Sequence, residues 1–138
     1  MSHQIYVCYK GGLTTESTHL KSGKVIHTDA PTDNHGKGAS HSPTDLVCSA
    51  LASCMLTVMG IYAQRENIDI DGTEAHVTKI MANAPRRISE IKIYMHIPEN
   101  KVDLLTDKHK EILKRTAETC PVALSLHPEI KQILVFNF

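Results

Sequence analysis

This sequence has no net charge, since 15 Lys and Arg residues balance 15 Asp and Glu residues along 138 positions. No segment clusters Lys and Arg with aromatic side chains. Proteins that bind nucleic acid need such a basic patch to neutralise phosphates. We therefore expect no nucleic-acid partner. The length predicts one domain, residues 1–138, which is large enough to bury a core.

The N-terminal residues, Met1 to Tyr6, have neither a basic segment nor a long apolar run. A cleaved secretory signal requires both. We therefore predict a cytoplasmic protein. In that compartment four cysteines are expected to be reduced thiols rather than the two disulfides of a small secreted domain. They are Cys8, Cys48, Cys54 and Cys120.

Short metal-binding motifs are also missing. The sequence contains no C-x-x-C, and the spacing from Cys48 to Cys54 is not that of a zinc knuckle. The nine histidines are scattered along the chain. The residues therefore do not indicate a structural zinc site.

Charged residues are absent between Leu46 and Ala63. The run begins with a strong helix signal, because Ser42 can cap a helix, Pro43 suits its first position and Asp45 stands where a capping-box acid meets the positive end of the dipole. At this length the run is at the lower limit for a membrane span, and polar side chains interrupt it. We predict no membrane span but a helix buried on nearly all sides, partly against a second subunit.

The remaining pattern predicts an α+β protein with antiparallel strands around that helix. β-Branched and aromatic residues interrupted by Gly11-Gly12 and Ser22-Gly23 indicate a meander of short strands. Alternating apolar and polar residues indicate a later hairpin, and spaced apolar residues among charged ones indicate a surface helix. In order, we predict strands in 4–10 and 13–29, a loop at 30–41, a hairpin of 68–84 with 87–98, helices at 101–119 and 122–126, and a strand at 130–138.

Two cysteines lie in unlike settings. Cys54 shares a helical stripe with apolar residues such as Leu51 and Val58, so its simplest interpretation is a small core residue. Cys120 directly precedes Pro121, where the free N–H groups of a following helix favour a thiolate. Local physics therefore predicts that Cys120 ionises more easily. Cys8 and Cys48 have no such setting, and we interpret them as structural.

Three blocks together resemble one known family. They are Ser42-Pro43-Thr44-Asp45-Leu46 leading to Ala50-Leu51-Ala52-Ser53-Cys54, then Pro85-Arg86-Arg87-Ile88 leading to Ile91, then Cys120-Pro121-Val122-Ala123-Leu124. In order and spacing they resemble the OsmC/Ohr family of bacterial thiol peroxidases, in a divergent OsmC-like form. The resemblance covers about residues 42–126 well.

The resemblance implies an OsmC-like fold, with antiparallel sheets wrapped around a long central helix in an intertwined homodimer. It further implies that Cys54 attacks an organic hydroperoxide and becomes a sulfenic acid, and that Cys120 then condenses with it to a disulfide. A dithiol such as a lipoylated protein would reduce that disulfide, and the resemblance implies that neither a metal nor a bound cofactor is needed.

The chain departs from the family where the first thiol is activated. A thiol within an apolar helix needs a nearby cation, and the family uses an arginine from the N-terminal strands held by a glutamate after the proline. Here Thr44 follows Pro43, and no arginine precedes Arg65. Asp45 lies one place along, and we favour its reading as a helix cap. The other cation candidates are Arg86, Arg87, His19 and Lys21.

Two further functions stay open beside the peroxidase. One is a dimer without catalytic activity that binds an apolar or acyl ligand, or uses its cysteines as a redox sensor. The other is a reaction of Cys54 with a different electrophile.

Overall fold

The computed structural model describes residues 2–138. The chain forms two compact units, Met1–Val47 and Cys48–Phe138. The sequence-based expectation of one domain therefore stays a prediction. Mixed helices and two small three-stranded sheets place the protein in the α+β class, as predicted.

The first unit is a three-stranded antiparallel meander in the order β1-β2-β3. Gly12 and Leu13, with φ of 62° and 65°, make the first turn after Gly11, which ends β1 with φ of 87°, and Gly23, with φ of 73°, lies in the second. Glycine adopts such left-handed conformations without the steric penalty that a side chain brings. The predicted meander and its turns are confirmed. Its strands are β1 (Ile5–Gly11), β2 (Thr14–His19) and β3 (Val25–Asp29).

Several large apolar side chains of this sheet are exposed. Side chains alternate along a strand, so Ile5, Val7 and Tyr9 share a face, and their exposed fractions are 58%, 58% and 64%. Ile26 joins them through the pairing of Val7 with Ser17 and of Ser17 with Ile26. The buried residues of the described part of the unit, by contrast, are polar: they are Thr28, Asp29 and Ser42.

The segment after β3, predicted to be a loop, is tied to the sheet through Asp29. One carboxylate oxygen of Asp29 accepts the Ala39 N–H at 2.9 Å, and the other accepts the Thr14 hydroxyl at 3.1 Å. These donors, with the Ala39 N–H first, hold the pKa of Asp29 below its usual value against the opposing effect of burial. The segment also contains a single 3₁₀ turn at Thr32–Asn34.

The predicted capping box at the start of the long helix α1 (Pro43–Arg65) is present. The Asp45 N–H donates to the Ser42 hydroxyl at 3.1 Å, and the Ser42 N–H donates to the Asp45 carboxylate at 2.9 Å. Asp45 therefore acts as the helix cap that we favoured.

The second unit has its core between α1 and a sheet in the order β4-β5-β6. α1 buries Leu51, Met55 and Met59, and alternate residues of β5 fill the same core. The predicted hairpin is confirmed, with β4 (Glu74–Ala82) antiparallel to β5 (Arg87–His96). The β5 residues in the core are Ile91, Ile93 and Met95.

β6 (Lys131–Phe136) corrects the predicted all-antiparallel arrangement, because it runs parallel to β5. Three helices connect the two strands, and a connection of that length permits the chain to return to the starting end of the sheet. Alternation alone identifies a strand and not its direction.

The helix predicted at 101–119 is broken in two. α2 (Glu99–Val102) ends before Leu104, which is 79% exposed rather than part of an apolar face. Thr106 then starts α3 (Asp107–Glu118) with a capping box, in which it accepts the His109 N–H at 3.1 Å and donates its own N–H to the His109 ring at 3.2 Å. The predicted short helix is present as α4 (Pro121–Ser125).

Among the described residues, one helix, α1, is long and apolar enough to cross a membrane by length and composition, with a mean hydropathy of 1.9. Core helices of soluble domains meet the same two criteria. The single chain buries one side of α1 and leaves exposed another side that carries Ser53, Thr57 and Ile61. The prediction of burial on nearly all sides is therefore not met within one chain.

Candidate active site

Cys54 lies in the middle of α1, at the edge of its buried side, and is half-buried. It contributes to the margin of the core rather than to its centre, which is filled by Met55 and Met59. A thiol at this position combines apolar surroundings with partial access to solvent. Such access is what a small electrophile needs to reach the sulfur.

Cys120 is the N-cap residue of α4 and is only 1% exposed. Pro121 follows at the first helical position, where its missing N–H costs nothing. The Ala123 N–H donates to the Cys120 sulfur at an N–Sγ distance of 3.4 Å. The sulfur thus replaces the oxygen that usually caps a helix.

The fold brings these two cysteines near each other, since the side chain of Cys54 acts on the pKa of the Cys120 thiol. Neither forms a disulfide, and Cys8 and Cys48 are also free thiols. Cys8 lies on β1 in the first unit, and Cys48 is buried in the core of the second. The two thiols that the sequence contexts singled out are thus neighbours in the fold.

Burial raises the pKa of the Cys120 thiol. The N–H groups of Ala123 and Val122 act in the opposite direction, and Cys54 raises the pKa further through its hydrogen bond and its charge. The prediction that Cys120 ionises more easily is therefore wrong in its result, although the N–H groups of the helix do lower the pKa of Cys120, as predicted. The sequence shows that a helix begins at Cys120 but not that the sulfur is excluded from water.

The cation candidates contact their own turns or are exposed to solvent. Arg87 stabilises its own turn, because its Nη1 donates to the carbonyls of Pro85 at 2.8 Å and of Asn83 at 3.3 Å. The ring of His19 is hydrogen-bonded to the Ser22 hydroxyl at 2.6 Å in the turn after β2. Lys21 is exposed in the same turn, and Arg86 is exposed beside Arg87.

A cavity of about 280 Å³ lies in the second unit. Met55, which follows Cys54 in the sequence, and Ala123, the donor to Cys120, both line it, but neither cysteine does. Its wall combines apolar side chains with a larger exposed polar surface; the other lining residues are Glu118, Gln132, Ile130 and Leu134. It is somewhat smaller than a typical site for a drug-sized ligand.

Sequence reasoning missed Gln132, which donates from Nε2 to the Ala123 carbonyl at 3.1 Å. The sequence contains a signal for it, because Gln132 is the one polar residue on a face of β6 whose other residues are apolar. No three His, Cys, Asp or Glu side chains are grouped to hold a metal ion in the part of the chain that the structure describes.

Comparison with known proteins gives a consistent family. Residues 35–134 match the family model of the OsmC-like protein. A protein from Psychrobacter arcticus 273-4, described as an osmotic stress induced and detoxification response protein, has 48% identity and a TM-score of 0.93 over 99% of this chain and 97% of its own. No curated protein matches the chain significantly.

More distant solved structures share the fold. An organic hydroperoxide resistance protein OsmC from Legionella pneumophila has 16% identity and a TM-score of 0.74 over 99% of this chain and 98% of its own. An OsmC-like protein of unknown function from Vibrio cholerae has 14% identity and a TM-score of 0.78 over 98% and 99%. The predicted OsmC-like fold is thus confirmed, and the family match over most of the sequence shows that this chain belongs to the OsmC/Ohr family.

Proposed function

We propose that this protein is a cytoplasmic thiol peroxidase that reduces organic hydroperoxides and so protects against peroxide stress. The observation that carries the proposal is that Cys54 lies near enough to Cys120 to raise the pKa of its thiol. Neighbouring thiols can reach the geometry of a disulfide with little rearrangement of the chain. The family and its organic hydroperoxide resistance members support the same chemistry.

In the first step the Cys54 thiolate attacks the terminal oxygen of the hydroperoxide. The O–O bond breaks, Cys54 becomes a sulfenic acid, and the alkoxide takes a proton and leaves as an alcohol. Cys54 acts first because it is half-buried, whereas Cys120 is almost fully enclosed. Before the attack, the Cys120 S–H donates to the Cys54 thiolate and stabilises its negative charge.

In the second step the Cys120 sulfur loses its proton and attacks the Cys54 sulfur. The S–O bond breaks, and hydroxide takes up the proton and leaves as water. A dithiol, in the cell one carried by a lipoylated protein, then reduces the disulfide and is itself oxidised. The complete cycle converts one hydroperoxide and one dithiol into an alcohol, water and an oxidised dithiol.

The protein works as a homodimer in this proposal. The uncovered face of Ile5, Val7, Tyr9 and Ile26, together with the exposed side of α1, supports association of two copies. A second copy is also the proposed source of the cation that the first thiol requires. Sedimentation equilibrium of Val7→Glu against Thr18→Glu, on the opposite face of the sheet, tests the dimer: only the former should dissociate it.

The peroxidase is tested by the consumption of cumene hydroperoxide with dihydrolipoamide as reductant. We expect turnover by the wild type and by Cys8→Ser, the matched control, and no turnover by Cys54→Ser. Equal, slow consumption by the wild type and Cys54→Ser would exclude the enzyme.

The cavity lined by Met55 and Ala123 supports a second candidate, a binding protein for a small apolar or acyl ligand. Met55, Ile130 and Leu134 offer apolar contacts to such a molecule, and Glu118 and Gln132 offer polar ones. Native mass spectrometry separates the candidates: a retained ligand, together with a Cys54 thiol that is inert to iodoacetamide, indicates a binding protein.

A further inference from the structure

Gln132 is a polar side chain at a position where its strand requires an apolar one. It shares its face of β6 with Leu134 and Phe136, and it lies opposite Ile91, which is fully buried. An amide facing a core costs free energy unless it is hydrogen-bonded. Its Nε2 meets that requirement by donating to the Ala123 carbonyl at 3.1 Å.

The carbonyl that Gln132 reaches has no partner within its own helix. α4 has five residues, and the carbonyls of the last turn of any helix lack intrahelical donors. A helix this short is also unstable without tertiary contacts. Gln132 therefore both satisfies an unpaired carbonyl and fixes residue 123 to the sheet.

Residue 123 in turn controls the surroundings of Cys120. The Ala123 N–H donates to the Cys120 sulfur at 3.4 Å, and the Leu124 N–H donates to the Cys120 carbonyl at 3.0 Å. The sheet is thus connected to the sulfur by two consecutive hydrogen bonds through one residue. If residue 123 moves, the N–H donor of the Cys120 sulfur moves with it.

We propose that Gln132 is a positioning residue for the resolving thiol: by anchoring Ala123 it holds the N–H donor on the Cys120 sulfur. This inference rests on the proposed function, in which Cys120 must lose its proton before its sulfur attacks the sulfenic acid of Cys54 and water leaves. The donor stabilises the thiolate form of Cys120. Gln132 therefore acts on disulfide formation and not on the first attack.

Single-turnover experiments with cumene hydroperoxide separate the two steps. Gln132→Leu preserves side-chain size and removes the donor, and dimedone trapping measures the sulfenic acid on Cys54. We expect sulfenic acid to form at the wild-type rate and disulfide formation to slow by about three- to tenfold, the effect of one lost hydrogen bond. Ser89→Ala is the control, because Ser89 also donates to a backbone carbonyl in this sheet, that of Ile80 at 3.0 Å.

A second measurement does not depend on peroxidase activity. In a Cys54→Ser background, NMR of ¹³Cβ-labelled cysteine follows the titration of Cys120 with pH. We expect Gln132→Leu to move the midpoint upward and Ser89→Ala to leave it unchanged. If Gln132→Leu does not fold, as judged by its thermal melt, Gln132→Met serves in its place.

The two experiments distinguish the two hypotheses. A wild type without peroxidase activity removes the proposed function, while the Cys120 titration still tests Gln132. A midpoint that is equal in Gln132→Leu and the wild type, or that shifts equally in Ser89→Ala, overturns the positioning role.

Discussion

Cys54 lies near enough to Cys120 to raise the pKa of its thiol, and Cys120 is itself only 1% exposed to solvent. One thiol of the pair is thus enclosed and the other is half-buried. The enclosed thiol stays protonated, because burial and Cys54 both raise the pKa of Cys120. The proposed order of the two thiols follows from this asymmetry.

Cys120→Ser should separate attack from resolution. Without the second sulfur the sulfenic acid on Cys54 cannot form the disulfide, so it should accumulate after one equivalent of hydroperoxide. Intact-protein mass spectrometry should show a stoichiometric dimedone adduct in Cys120→Ser and a much smaller one in the Cys8→Ser control. Equal labelling of both variants would contradict the role of Cys120.

Tyr62→Phe should not destabilise the protein. The Tyr62 hydroxyl is buried and has no hydrogen-bond partner among residues 2–138, so its removal abolishes an uncompensated desolvation cost. We expect an unchanged free energy of unfolding in urea, or an increase of about 1 kcal/mol. The control is Tyr94→Phe, whose hydroxyl belongs to a largely exposed side chain. A clear loss of stability in Tyr62→Phe alone would reveal an additional hydroxyl contact.

The same tyrosine and Cys120 predict a loss of stability at alkaline pH. Burial is the first cause that raises the pKa of each above its usual value, which is 9.0 for the thiol and 10.0 for the phenol. A group whose pKa is raised by folding contributes stability below its unfolded pKa and loses that contribution as the pH rises. Urea unfolding from pH 8 to 11 should therefore show a decline that is shallower in Tyr62→Phe. An equal slope in the wild type and in Tyr62→Phe would contradict a contribution of Tyr62 to this decline.

Asp29 predicts a loss of stability of the first unit in acid. Its lowered pKa means that its contribution is present above the ordinary aspartate value and disappears as the pH falls through the folded value. Asp29→Asn should make the segment at 30–41 more sensitive to limited proteolysis at pH 7, because the Ala39 N–H loses its charged acceptor. Asp33→Asn in that segment is the matched control, and equal cleavage of the two variants would argue against the Asp29 anchor.

Thr106→Ala should destabilise α3 through the loss of its capping box. The substitution removes the acceptor of the His109 N–H, and the cost of losing such a cap is about 1 kcal/mol. Lys108→Ala, at an exposed position in the same turn, should change the free energy of unfolding much less. Guanidinium unfolding of both variants provides the comparison, and equal effects would show that the box contributes little.

Local signals in the sequence predicted local structure well. Ser42 and Asp45 predict their capping box because both partners lie within one turn. Thr106 predicts its box less clearly, since His109 stands where glutamate or glutamine is usual. The apolar pattern continues through Leu104, so it did not indicate the break between α2 and α3.

Features that depend on distant residues were harder to predict. The direction of β6 depends on the path of three helices, and the ionisation of Cys120 depends on what encloses it. The pairing of Cys54 with Cys120 was expected only from the family resemblance, because neither context specifies the other. Gln132 is recognisable from the sequence alone only as a polar interruption, and its role needs the position of Ala123.

The sheet of the first unit exposes its large apolar side chains and buries only polar ones, which has a consequence for how the protein melts. Such a sheet derives little stability from its own interior, so on the proposed dimer its folding is coupled to association. Dissociation and unfolding of the N-terminal strands then become one transition, and the melting temperature rises with protein concentration. Dilution alone should therefore loosen Ile5, Val7 and Tyr9 before any denaturant is added.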